Sequence, residues 1–165
     1  MRASELNWQE IPNFSPGEWP AGVLEQMDAR VIQVLAAVRQ RLPRTHRMDP
    51  SPVPGAHVRA TGTSRHSTQG GRLSDATDFF MDWQHAWDAL IALQAEPRIG
   101  GLGIYTDMMW SGREGDRCMF HIDTRPERVE WVAWRVSRDT PTVYVNKARD
   151  PLEYHRIIAS RGQQR

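Results

Sequence analysis

The chain is short of cysteine, of net charge and of long apolar runs, and each shortage closes off a class of protein. Cys118 is the one cysteine in 165 residues. No internal disulfide and no cysteine-built zinc cage can form, so any metal must be held by histidines and carboxylates. Lys and Arg number 21 against 20 Asp and Glu, a formal net charge of +1. No strong overall field therefore draws the chain to nucleic acid or to an anionic membrane. No stretch approaches the ~20 apolar residues of a spanning helix. The N-terminal segment, MRASELNWQEIPNFSPGEWP, has neither an apolar h-region nor a small-residue cleavage pattern. The expectation is a protein made soluble in the cytoplasm. Internal repeats and low-complexity tracts are also missing.

What is present suffices for one core: 39% hydrophobic residues and seven Trp support a single domain over 1–165. Residues 1–22 mix Pro12, Pro16, Gly17, Pro20 and Gly22 with Trp8, Phe14 and Trp19, which reads as an irregular arm pinned by aromatics. The domain proper is expected over 23–159, with a frayed tail over 160–165. Apolar residues at 23, 24, 27, 31, 34, 35, 38 and 42 keep one stripe inward and predict a helix from Val23 to Leu42, stopped by Pro43. A proline-rich connector follows. Trp83, Trp87, Leu90 and Ile91 predict a second amphipathic helix whose tryptophan stripe is core, closed by Pro97 and Gly100-Gly101.

Strand signals fall at 57–61, at ATDFFM (76–81), and then in GLGIY, CMFHIDT, VEWVAWRV and TVYVN. Helices early and strands late predict an α+β domain with a small antiparallel sheet and flanking helices.

The chemistry concentrates in two histidines. His66 sits in a glycine-flanked polar loop before a strand, and His121 sits within CMFHIDT. Asp78 interrupts an apolar strand, where an unpaired charge is costly to bury. Two imidazoles and a carboxylate would leave a fourth zinc position open for water, as catalytic zinc requires. Strand alternation puts His121 and Asp123 on one face, with Phe120 and Ile122 on the other, so Asp123 is placed to orient a ligand or take a proton. A satisfied polar pair is the plain alternative, and Asp75 or Asp78 could instead cap a turn. Arg125, Arg128, Arg135 and Arg138 read as a solvated strand face, and Cys118 as a small buried hydrophobe.

Ser64-Arg65-His66 followed by glycine and Ala76-Thr77-Asp78-Phe79 resembles the S-x-H-x-x-G-x-A-x-D signature of zinc D-Ala-D-Ala peptidases. GGLGIY, FHIDTR and Trp131 resemble, in the same order, the G-G-x-G-x-Y, F-x-H-x-D-x-R and W series of one branch of that family. The resemblance covers roughly 58–134. It implies a Hedgehog- and D-Ala-D-Ala-peptidase-like fold, a zinc ion on His66, an Asp and His121, and hydrolysis of peptidoglycan peptides as in phage endolysins. The family's Asp stands nearer its first His than Asp75 or Asp78 does here, so an insertion near Gly70-Gly71 is required. Both remain candidates, with Asp78 preferred for its local A-x-D-hydrophobic step. Many members carry an acid three residues before the last ligand, where this chain has Cys118. Asp123 is the candidate for that proton-accepting role, with Glu114 and Asp116 as rivals. Arg59, with Arg65 as alternative, is assigned to the substrate carboxylate. Two other readings stand beside this one: a structural or binding module of the same fold, such as a phage tail or virion component, and a metal-free domain with His66 and His121 far apart.

Overall fold

The structure is a computed structural model and describes residues 1–106, 117–134 and 140–162. It is an α+β arrangement of one six-stranded sheet and three helices. The strands are β1 (Asp49–Pro50), β2 (Ala76–Asp82), β3 (Gly101–Tyr105), β4 (Arg117–Asp123), β5 (Val129–Trp134) and β6 (Val143–Asn146). The helices are α1 (Ala29–Arg41), α2 (Ala86–Gln94) and α3 (Pro151–Gly162). Sheet order is β1-β2-β4-β3-β5-β6.

The expected all-antiparallel sheet is corrected at one pair, because β3 and β5 run parallel. The cause is occupancy. β4 is flanked by β2 along seven residue pairs and by β3 along five. The chain leaving β4 therefore pairs with the open edge of β3, in the same direction as β3.

The register divides the sheet into two faces. Phe79, Met81, Phe120, Ile122, Leu102, Ile104 and Val132 point to one face and join residues of α1, α2 and α3 in a single apolar cluster. Asp78, His121, Asp123, Gly101, Gly103, Tyr105, Trp131 and Tyr144 share the other face. Among the described residues, the three helices pack on the apolar face, and the opposite face carries the polar side chains.

The first helix is shorter than its apolar period. Met27 and Asp28 are extended, tied by Ala3 N–H to Met27 O at 2.9 Å and Asp28 N–H to Ser74 O at 2.7 Å. Helix therefore starts after Asp28, whose carboxylate accepts from Arg30 N–H as an N-cap. Val23 caps, and Leu24 opens, a separate 3-10 turn over Leu24–Gln26.

The strand expected at 57–61 is absent: only Arg59 forms an isolated bridge, to Ser67. The strand of this region is β1, earlier in the connector, with Pro50 at the sheet edge where its missing N–H is tolerated.

The tryptophan stripe also needs correction. Trp83 is buried, but Trp87 is 46% and Ile91 63% exposed. A 3-10 turn over Trp83–His85 shifts the phase, so Ala86, Ala89, Leu90 and Leu93 face inward instead. In residues 1–22, three short 3-10 turns alternate with extended backbone, and the Trp19 ring lies 5.6 Å from Trp8 and 5.5 Å from Phe14. Among the described residues no helix is long and apolar enough to cross a membrane.

Candidate metal centre

Asp78 and His121 face each other across β2 and β4, and the sheet alone fixes that pair. His66 comes from the preceding loop. Arg59 N–H donates to His66 O, and Thr68 N–H to Arg59 O, each at 2.8 Å. Those bonds hold the turn so that the His66 ring lands on the sheet. His66 Nε2 lies 3.0 Å from His121 Nδ1, His121 Nδ1 lies 2.9 Å from Asp78 Oδ1, and His66 Nε2 lies 3.4 Å from Asp78 Oδ1. The three residues are 4%, 6% and 6% exposed. The two histidines, which one alternative set far apart, are in contact.

Without a metal, Asp78 can accept a proton from each histidine. The same three atoms also converge closely enough to share one cation. Tetrahedral zinc with bonds of about 2.0–2.2 Å sets its ligand atoms about 3.3–3.6 Å apart; the 3.4 Å pair matches, and the 2.9 and 3.0 Å pairs would open by a few tenths of an ångström. A buried His66, Asp78 and His121 group can thus bind a metal ion, and it is the group of this kind among the described residues.

No protein-family model, no curated protein and no solved structure matches this chain. The centre stands on its own geometry.

Asp75 is buried as well, but its carboxylate is taken by Arg65, with Arg72 at 3.8 Å. Strand parity turns it from Asp78's face. The structure therefore brings Asp78, and not Asp75, to the two histidines.

Asp123 sits behind the ligand group rather than in it. Its Oδ2 is 3.0 Å from His121 Nε2, the ring nitrogen opposite the one facing Asp78 and His66. Its Oδ1 accepts from Arg125 N–H at 3.1 Å and Nε–H at 2.8 Å, and Arg125 Nη2 closes on Oδ2. Asp123 is fully buried with both oxygens engaged. This is the carboxylate–histidine pairing that fixes ring orientation behind a metal.

The charges reinforce one another. Burial works against the ionised form of Asp78, yet hydrogen bonds from His121 and His66 outweigh it and hold the carboxyl well below the usual range. Asp123 is likewise held low against burial, by His121 and Arg125. Burial pulls His121 down, but Asp123 and Asp78 together raise it to about 9.

The glycines of GGLGIY make room for these groups. A Cβ on Gly101 would lie 2.1 Å from Asp123 Oδ2, and one on Gly103 would lie 2.4 Å from the Trp131 ring. Trp131 crosses Gly103 to reach His121 at 5.1 Å between ring centres.

Arg59 Nε–H donates to Gly55 O at 2.9 Å, and Arg65 is committed to Asp75, so neither side chain is turned to the ligand group by these bonds. Arg125 is the arginine the fold delivers to the site. It is clamped on Asp123 and lies 5.8 Å over the Trp131 ring, rather than decorating a solvated face. Arg128 is also engaged, donating to Ile99 O at 2.7 Å. Arg135, Arg138, Glu114 and Asp116 lie outside the described residues. The signal for Arg125 was its place two residues after Asp123.

Proposed function

We propose that this chain is a zinc-dependent peptidase that hydrolyses peptide bonds in bacterial peptidoglycan. The observation that carries the proposal is the buried triangle of His66 Nε2, Asp78 Oδ1 and His121 Nδ1, backed by Asp123 on the far nitrogen of His121. Two imidazoles and a carboxylate suit zinc. The substrate class rests on the resemblance of Ser64–His66, GGLGIY, FHIDTR and Trp131 to peptidoglycan peptidases.

Bound there, zinc would lower the pKa of a coordinated water and polarise the scissile carbonyl. The protein's own residues prepare that chemistry. Asp78 is held as an anion, so it presents a lone pair and negative charge without first losing a proton. Asp123 accepts from His121 Nε2–H, which locks the ring plane and makes the Nδ1 proton the one a metal would displace. Arg125 keeps Asp123 ionised and fixed. With both oxygens bound, Asp123 serves as the orienting carboxylate. Glu114 and Asp116, the other sequence candidates for the proton-accepting role, lie outside the described residues. The reaction adds water across the peptide bond, with the proton delivered to the leaving amine.

The chain would act at the wall after release or within a phage particle. A second reading, a non-catalytic wall-binding or virion module, is favoured by one observation. Cys118, three residues before His121, is fully buried with its thiol toward Met81 O at 3.6 Å, so no acid stands at that position.

The deciding experiment loads the purified protein with zinc and incubates it with peptidoglycan sacculi, reading new amino termini and released peptides. Zinc-dependent release that His121→Ala abolishes supports the peptidase. Zinc binding and sacculus binding without release favours the module.

A further inference from the structure

The metal-bearing face also carries a run of aromatic rings that leads outward from the ligand group. Trp131 touches the His121 ring, 5.1 Å between centres. Tyr105, two residues beyond Gly103 on β3, lies on the same face, and its ring meets Tyr144 of β6 at 6.2 Å and 88°. Exposure rises along the run. His121 is 6% exposed, Trp131 and Tyr105 are half-buried, and Tyr144 is 60% exposed. Tyr105 thus stands where the closed ligand group gives way to solvent. Its strand neighbour on β5 is Ala133, a small residue that leaves the phenol room on that side.

The Tyr105 hydroxyl has Trp131 and Tyr144 as hydrogen-bonding neighbours and lies within the field of Asp78. Burial first, then Tyr144 and Asp78, push its ionisation above the usual phenol range, so it remains a neutral donor. The indole N–H of Trp131 can only donate. It therefore fills an acceptor site on the phenol oxygen and leaves the phenol proton as the one to give. Gly103 is what lets Trp131 lie there.

We infer that Tyr105 is a catalytic residue whose hydroxyl donates a hydrogen bond to the scissile carbonyl oxygen as that oxygen gains negative charge. The inference rests on the peptidase reading above. The proton stays on the phenol throughout. In the complex it would be directed to substrate. A pre-placed donor aimed at developing charge is among the largest catalytic contributions available to an acyl-transfer site.

The test is Tyr105→Phe, which removes one oxygen and keeps the ring, beside Tyr144→Phe. Metal content and thermal melting come first. The expected result is normal metal content, KM near the wild-type value, and kcat on peptidoglycan lowered roughly 10²-fold. A second readout does not need turnover: acetohydroxamate binding to the Co²⁺-loaded protein, followed by cobalt absorption, should weaken roughly ten-fold in Tyr105→Phe and little in Tyr144→Phe. Unchanged kcat and unchanged acetohydroxamate affinity in a Co²⁺-binding Tyr105→Phe protein overturn the assignment and leave the peptidase reading intact. A wild type that binds Co²⁺ but never cleaves peptidoglycan overturns that reading instead, and the acetohydroxamate comparison still decides whether Tyr105 serves the metal site. If Tyr105→Phe fails to fold, 3-fluorotyrosine at 105 keeps the shape and strengthens the donor. Tighter acetohydroxamate binding then supports the role, and no change overturns it.

Discussion

Asp123→Asn separates the two things Asp123 does for His121. The asparagine keeps the shape and can still accept from Nε2–H, but it removes the charge that helps raise His121 to about 9. Loss of an outer-sphere partner of a ligating histidine lowers metal affinity about 10–100-fold. A second effect opposes it. In the metal-free wild type at pH 7.5, His121 carries a proton that the metal must displace. A gap of about 1.5 pH units below its pKa costs about 2 kcal/mol of apparent binding. Wild-type zinc affinity should therefore climb close to ten-fold per pH unit between pH 7 and 9 and then flatten. Binding at pH 7.5 should release more protons from wild type than from Asp123→Asn. Titration against a chromophoric chelator at several pH values, with calorimetry in buffers of different ionisation enthalpy, reads both quantities. Equal proton release and equal affinity in the two proteins would refute the linkage between Asp123 and His121.

The same shift has a sign for stability. A raised histidine stabilises the metal-free fold fully below its unfolded pKa of about 6.5, and that contribution is lost as pH rises through about 9. Asp78 and Asp123, held low, contribute above their unfolded values and are lost in acid. Denaturant melts of metal-free protein should thus lose up to about 3 kcal/mol between pH 6.5 and 9, and saturating zinc should remove the loss. Asp78→Ala should abolish tight metal binding. Asp75→Ala should keep it while destabilising the fold by about 1–3 kcal/mol, because it leaves Arg65 partly buried without its partner. Gly103→Ala places a Cβ 2.4 Å from the Trp131 ring and should cost about 1–3 kcal/mol by overpacking, with a changed tryptophan fluorescence spectrum. Trp87→Gln, on an exposed position, should move stability within about 0.5 kcal/mol, whereas Leu90→Ala should cost about 2–5 kcal/mol.

Apolar, β-branched and aromatic runs marked β2 through β6 in the sequence, whereas the alternating stretch at 57–61 forms no strand. Strand parity put His121 and Asp123 on one face. Pairing partners are a different matter. The parallel β3–β5 contact follows from β2 occupying the edge of β4, which is non-local and leaves no trace in residue spacing. The start of α1 shifted for a similar reason, since Ser74 and Ala3 hold Met27 and Asp28 extended. The C-terminal helix α3 was legible but unread: Asp150 caps it by accepting from Glu153 N–H at 3.1 Å, Pro151 opens it, and Tyr154, Ile157 and Ile158 form its buried stripe. In the site, spacing could not separate Asp75 from Asp78. Their strand parity and the arginines around Asp75 do so. Arg125 stood two residues after Asp123 in FHIDTR, yet its role as a clamp depends on Asp123 being buried beneath it, which spacing does not show.

The most direct test is elemental analysis of the purified chain after dialysis against buffered zinc, with the same sample assayed for peptide release from sacculi. The account predicts about one zinc per chain, held in Asp75→Ala, lost in Asp78→Ala and His121→Ala, and release of peptides that tracks zinc content. A well-folded wild type that retains no zinc, or that binds zinc with both Asp variants behaving alike, would contradict it.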